Sequence, residues 1–257
     1  MIPTDVITNW GESHPWSSRE QIEQDFSLSQ AICEIANNRV LGEELSFRGG
    51  TAFHKLFLPK PYRYSEDLDY VRSSEGGIGY ILDQFTQIGI QLGYKVSTKI
   101  GKYPKVYWKT TSESGIPLRI KIEINTYERV SALPLTSIQH TINTPYYSTI
   151  ADIKTYQVVE LIATKIRALY QREKGRDLFD LWLALEILSI SPIEIVEVFQ
   201  KYKPEGFTQA LAIGNLELKL RSNRFLSDLD NLSIPSEIYF YPINAGKLII
   251  DKILSQL

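Results

Sequence analysis

Asp67 and Asp69 are the side chains of this sequence best spaced to do chemistry, in the run Ser65-Glu66-Asp67-Leu68-Asp69. On a strand, residues two apart share a face, so Ser65, Asp67 and Asp69 point one way while Glu66 and Leu68 point the other. Two carboxylates this close repel each other unless a cation sits between them. Oxygen ligands of this kind suit Mg²⁺, which keeps waters and takes substrate phosphates as further ligands. An acidic surface loop would look the same, so the pair needs support from elsewhere in the chain.

Three further places offer it. Arg48-Gly49-Gly50-Thr51 precedes a short helical stretch. Glycines let a backbone approach a ligand, and the free N–H groups of a helix start attract phosphate. Thr51 would add a hydroxyl and Arg48 a charge, although a plain strand-to-helix turn has the same composition. Glu123 lies on the polar face of a later strand and supplies a third carboxylate if that strand pairs with the one bearing Asp67 and Asp69; otherwise it belongs to a solvated strand face. Lys165 lies one turn from both Leu161 and Leu169, at the edge of an apolar stripe, where a charge needs a partner or a cleft. Asp177 and Asp180 are three apart and sit together on a helix. Arg176 with Asp177 is equally suited to a structural ion pair or a cap.

The elements that must position these groups can be read from hydrophobic period. Residues 19–39 have helical spacing, 45–47 form a short strand, 51–58 a short helix stopped by Pro59, and 67–71 a strand. A second amphipathic helix spans 77–92, followed by strands near 94–99 and 103–109. Over 116–124, Ile116, Leu118, Ile120, Ile122 and Ile124 alternate with Pro117, Arg119, Lys121 and Glu123, so the apolar set packs inward and Arg119, Lys121 and Glu123 share the other face. From about 155 the period is helical: 157–172, 177–188, 192–202, a broken helix over 206–230, and 243–256. Strands mixed with helices in the first part and helices alone in the second predict an α+β chain: a mixed-sheet core over 1–150 and a helical region over 151–257.

Composition limits the classes open to it. The chain has 257 residues, 43% hydrophobic and 23% charged, as a soluble globular protein does. One cysteine, Cys33, excludes an internal disulfide and a Cys-rich zinc site. No signal-like start and no membrane-length apolar run are present, so a cytoplasmic protein without a membrane partner is expected. A formal net charge of −2 argues against a protein dedicated to coating nucleic acid. Lys165, Arg167, Arg172, Lys174 and Arg176 nevertheless leave room for a local basic surface over 165–176.

Taken together, Phe47-Arg48-Gly49-Gly50-Thr51-Ala52, Arg63-Tyr64-Ser65-Glu66-Asp67-Leu68-Asp69, and the helical set Glu160-Leu161, Lys165, Ala168-Leu169, Arg172, Arg176-Asp177 and Asp180-Leu181-Trp182 resemble the AbiEii/AbiGii-type toxin family of nucleotidyltransferases, within the DNA polymerase β-like superfamily. The resemblance runs from roughly 30 to 185. It implies an enzyme that transfers NMP from an NTP with Mg²⁺, to RNA and in particular the 3′ end of tRNA, as the toxin of a toxin–antitoxin or phage-defence system with a cognate antitoxin. It implies that Gly49 and Gly50 form the phosphate-binding turn. Asp67 and Asp69 would bind metal, with Ser65 beside the triphosphate. Lys165 and Asp177 would be a second pair that contacts nucleotide and completes the cleft from the helical region. Glu123 would share a second metal, although some toxins of this family lack the third superfamily carboxylate. Gly-Gly-Thr stands here where many relatives in the superfamily have Gly-Ser. Two other readings keep part of this picture: an enzyme that nucleotidylates a protein side chain, and an inactive nucleotide- or partner-binding module.

Overall fold

In a computed structural model, residues 2–230 and 238–257 are described, and the chain divides into two compact units, Met1–Tyr156 and Gln157–Leu257. Residue 150 lies inside the last strand of the first unit. The helical expectation over 151–257 includes 231–237, which lie outside the described residues.

The first unit contains, in order, α1 (Thr4–Ser13), α2 (Arg19–Asn37), α3 (Arg39–Glu44), β1 (Leu45–Arg48), α4 (Gly49–Leu56), β2 (Asp67–Arg72), α5 (Gly79–Gln91), β3 (Lys95–Lys99), β4 (Lys105–Thr111), β5 (Pro117–Asn125), β6 (Thr136–Asn143) and β7 (Ser148–Thr155). The strands form one seven-stranded sheet in the order β3-β4-β5-β2-β1-β7-β6. Two neighbouring pairs, β2 with β5 and β1 with β7, are parallel and the rest antiparallel, so the sheet is mixed and the fold is α+β.

Local chemistry sets the element ends. Ser18 and Gln21 form a capping box at the start of α2: the Ser18 Oγ accepts from the Gln21 amide at 3.2 Å and the Gln21 Oε1 accepts from the Ser18 amide at 3.3 Å. The helix expected to run to residue 39 stops at Asn37, because Asn38 caps the next helix and its Oδ1 accepts from the Leu41 amide at 3.0 Å. The strand expected over 116–124 starts at Pro117, and Ile116, expected inside, is 48% exposed in the preceding turn. The β6–β7 hairpin carries no strand signal of that kind. Ile142 is the one buried residue of β6, so its sequence lacks the alternation that identifies β5.

One sheet face is apolar. Leu68 and Tyr70 of β2, Val106 and Trp108 of β4, and Leu118, Ile120, Ile122 and Ile124 of β5 are all buried. Phe26 and Ile35 of α2 and Ile81 and Phe85 of α5 are buried with them. Full burial of each such side chain contributes about 1.5–3 kcal/mol. Trp108 satisfies its indole N–H with the Phe85 carbonyl at 3.1 Å. A Cβ at Gly89 would lie 2.6 Å from the same indole nitrogen, so only glycine lets α5 approach β4 this closely. With the apolar residues on one face, the odd-numbered residues of β2 and β5 must stand on the other.

The second unit is helical where described: α6 (Val158–Gln171), α7 (Gly175–Glu186), α8 (Pro192–Phe199), α9 (Gln209–Lys219), α10 (Asn223–Asp230) and α11 (Pro242–Lys252), with short 3₁₀ turns after α8 and α11. The helix expected to be broken over 206–230 is the pair α9 and α10.

Candidate active site

The polar face of the sheet gathers the first set of predicted residues through strand register. Arg48 of β1 stands opposite Asp69, Asp67 opposite Lys121, Asp69 opposite Glu123, and Lys105 opposite Glu123 from the other side. Directly opposed residues share a face. Lys121 Nζ lies 2.6 Å from Asp67 Oδ2 and 4.0 Å from Glu123 Oε2, and Lys105 Nζ lies 3.0 Å from Glu123 Oε2. Arg48 Nη1 is 3.6 Å from Glu128 Oε2, and its guanidinium lies over the Tyr156 ring.

Asp69 is the strained member. Burial, and then the neighbouring Asp67 charge, push its carboxyl above the usual carboxylate range; Arg48 opposes the shift, Glu123 adds to it, and Lys121 opposes it. Lys121 shows the complementary effect. Burial alone would lower its ammonium, but the hydrogen bond to Asp67 and the charges of Asp67, Glu123 and Asp69 raise it above the ordinary lysine value. The face therefore carries more negative charge than its solvation supports, and a lysine ammonium already sits against the pair.

Gly49 makes the approach of α4 possible for two separate reasons. Its φ of +82° is left-handed, and a Cβ there would stand 2.5 Å from Asp69 Oδ2. Gly49 and Gly50 are the first two residues of α4, and no side chain caps that helix start. Its leading amides therefore have no side-chain acceptor of their own, beside the half-buried carboxylate. Thr51 uses its hydroxyl internally. Its Oγ1 donates to the Asp67 carbonyl at 2.5 Å and lies 2.8 Å from Ser65 Oγ, so Ser65 is the donor in that second bond. Thr51 thus fixes the backbone of Asp67, in place of the expected hydroxyl contact to phosphate.

The donor set fits a divalent cation held by two carboxylates. Asp67 and Asp69 project from one strand face, one of them is destabilised by its neighbour's charge, and Mg²⁺ commonly takes only one or two carboxylates besides phosphate and water. The three-carboxylate set expected with Glu123 is not gathered: among the described residues no group of three or more His, Cys, Asp or Glu side chains is placed to hold a metal ion. Lys105 and Lys121 draw Glu123 to themselves.

Within the second unit, Lys165 and Asp177 meet as well. Lys165 is 6% exposed; its Nζ lies 2.7 Å from Asp180 Oδ2 and 3.4 Å from Asp177 Oδ1. Arg172 grips Asp177 with Nε at 2.6 Å from Oδ2 and Nη2 at 2.7 Å from Oδ1. Lys174 lies 3.0 Å from Asp228. Most of the basic stretch 165–176 is thus ion-paired rather than a free cationic surface. Lys105, Lys121 and Asp180 were not singled out as site residues. The first two depend on β2–β5 and β4–β5 register, which spacing alone does not fix; Asp180 was legible from its i,i+3 relation to Asp177.

The solved nucleotidyltransferase toxin MenT4 of Mycobacterium tuberculosis H37Rv superimposes with a TM-score of 0.72 at 17% identity, covering 100% of this chain and 91% of that one. A nucleotidyltransferase-like antigenic protein of Paracoccidioides brasiliensis aligns over 79% of this chain and 86% of its own at a TM-score of 0.39 and 16% identity, too low to carry an argument. No curated protein matches. The first likeness establishes the fold. The family model for the nucleotidyl transferase AbiEii toxin of type IV toxin–antitoxin systems matches residues 30–237, well over half of the sequence, and the chain belongs to that family of nucleotidyltransferases.

Proposed function

We propose that the enzyme transfers NMP from an NTP to an RNA acceptor, the 3′ end of tRNA, with Mg²⁺ held by Asp67 and Asp69. The reading is carried by one observation: Gly49 brings an uncapped helix start against a pair of carboxylates that share a strand face, one of which is destabilised by burial and by the other. A helix start attracts phosphate and a carboxylate pair attracts a cation, and a metal-bound triphosphate supplies both.

When bound there, Mg²⁺ would neutralise the phosphates and polarise the α-phosphorus. The remaining work belongs to the chain. The amides of Gly49 and Gly50 bind phosphate oxygens. Thr51, through the Asp67 carbonyl and Ser65, keeps the β2 entrance from shifting as charge is transferred. Arg48 and Lys121 offset negative charge on the face. The acceptor hydroxyl oxygen bonds to the α-phosphorus, the bond to the bridging oxygen of pyrophosphate breaks, and a carboxylate of that face takes the proton. Such chemistry needs mainly positioning and charge neutralisation. Glu123 acts by holding Lys105 and Lys121, and the part of Lys165 and Asp177 in contacting nucleotide rests on the family resemblance. A cognate antitoxin and a cytoplasmic setting complete the reading; no described helix is long and apolar enough to cross a membrane.

The test is to incubate the protein with total RNA, total protein and each α-labelled NTP in Mg²⁺. Label in the tRNA pool that disappears in Asp69→Asn supports the reading. Label in protein alone supports the protein-nucleotidylating alternative, and label in neither pool rejects transfer to both.

A further inference from the structure

Beyond the carboxylate pair, the same sheet face continues outward through β5, β4 and β3 to the sheet edge. Register places Lys95, Lys109 and Arg119 in one cross-strand row, Ser97, Tyr107, Lys121 and Asp67 in the next, and Lys99, Lys105, Glu123 and Asp69 in the third. The Lys121–Asp67 and Lys105–Glu123 ion pairs and the Arg119 guanidinium over the Tyr107 ring at 5.5 Å confirm that these residues share one side. Lys95, Lys99, Lys109 and Arg119 are exposed, and none of the four is ion-paired among the described residues. The opposite side of the same strands is the apolar core.

Charge on this face is therefore graded. Its outer part is cationic without compensation, and all its carboxylates lie at the inner end. Three inter-strand steps of about 4.8 Å separate the edge from Asp67 and Asp69, roughly 14 Å in all, the reach of a few nucleotides. Aromatic rings accompany the charge. Tyr107 lies on the face, while Tyr103 and Tyr127, exposed and in edge contact at 6.0 Å, flank its inner end with the Lys102 ammonium over both. A groove that pairs phosphates with cations and bases with aromatic faces is how single strands are held without sequence readout.

We infer that the exposed face of β3, β4 and β5 is the track for the acceptor strand, a single-stranded RNA end whose phosphates lie over Lys95, Lys99, Lys109 and Arg119, whose terminal bases stack at Tyr103 and Tyr127, and whose 3′ hydroxyl is delivered to the Asp67–Asp69 pair. This rests on the proposed function for the identity of the acceptor, and only there. An acidic protein is the competing occupant. The tyrosines and the two rows that end at Asp67 and Asp69 favour the nucleic acid, because an acidic peptide would gain nothing from approaching Asp67, Asp69 and Glu123.

The test measures binding of a labelled single-stranded RNA oligonucleotide to the full chain, without nucleotide, over a salt series. The triple variant Lys95→Gln, Lys109→Gln, Arg119→Gln should bind about tenfold more weakly or worse, with the slope of log affinity against log salt reduced by about 0.7 for each phosphate no longer neutralised. Equal neutralisation at Lys201, Lys203 and Lys247, all exposed in the other unit, should leave both unchanged. Tyr127→Ala should cost about fivefold or more for RNA and nothing for polyglutamate. Matching melting curves confirm that the variants are folded. RNA affinity and salt slope untouched by the triple variant overturn the track even if wild type labels RNA. Polyglutamate bound as tightly as RNA, with Tyr127→Ala without effect, overturns it in favour of a protein partner. A wild type that labels protein rather than RNA but binds the oligonucleotide along this face refutes the acceptor, not the track.

Discussion

The two ionic clusters of this chain use the same residue types to opposite ends. Around Lys165, two carboxylates and two cations close on one another: Asp180 and Asp177 take the ammonium, and Arg172 takes both oxygens of Asp177. Around Asp69, the carboxylates are half-buried on an open strand face, and Arg48 and Lys121 offset only part of the desolvation and repulsion, so the Asp69 carboxyl remains displaced upward. A buried cluster that satisfies itself fixes structure. One left short of positive charge is prepared for a cation and a phosphate, at a cost in stability.

The contrast is broken most severely at Asp69. Asp69→Asn should lower transfer by about 10³-fold, the scale of losing a metal's several kcal/mol of charge stabilisation. Stability measured by urea denaturation should hold or rise at neutral pH. A variant that transfers normally would remove Asp69 from the chemistry. Lys165→Met should cost stability whatever it does to transfer. It removes the ammonium that lies between the buried carboxylates of Asp180 and Asp177, so unfolding free energy should fall by about 3–5 kcal/mol. An undiminished urea midpoint would show that this cluster is not closed. Gly49→Ala stands between the two. The left-handed φ costs about 1–3 kcal/mol, and the added methyl meets the Asp69 oxygen, so both stability and transfer should drop. A Gly49→Ala protein with wild-type activity would mean that α4 need not approach Asp69.

A smaller effect follows from protonation. Because the folded-state value of Asp69 lies above the ordinary carboxylate value, the native state holds that proton more tightly than the unfolded chain. Its contribution is favourable when Asp69 is protonated and is lost as pH rises from the ordinary carboxylate value through the raised one. Asp69→Asn should therefore flatten the fall of wild-type stability across that window, read from denaturation midpoints at a series of pH values. Identical pH profiles would contradict the assigned shift.

Much of this was legible from residues alone, and the gaps have physical causes. The spacing of Asp67 and Asp69 fixes a shared face on any strand, and the alternation through Ile124 fixes which side of β5 is buried. Spacing cannot reveal that β2 runs parallel to β5 in the register that sets Lys121 against Asp67, because that pairing joins segments about fifty residues apart. Thr51 was readable as a hydroxyl near phosphate; only the fold shows the Asp67 carbonyl taking it. The stretch 165–176 looks basic in sequence because Asp180 and Asp228, which neutralise part of it, lie beyond it. The face of β3 to β5 is the converse case: its lysines are scattered along the sequence, and only strand pairing assembles them.

The Asp67–Asp69 face is short of positive charge in a way that the Lys165 cluster is not. Thermal unfolding of wild type, Asp69→Asn and Lys165→Met, each with and without Mg²⁺ and NTP, tests it directly. A ligand that binds only the native state raises the midpoint in proportion to its binding. Wild type should show a Mg²⁺-dependent rise, Asp69→Asn should lose it, and Lys165→Met should have a lower midpoint under every condition. An Asp69→Asn protein that shows the full wild-type rise with Mg²⁺ and NTP would contradict it.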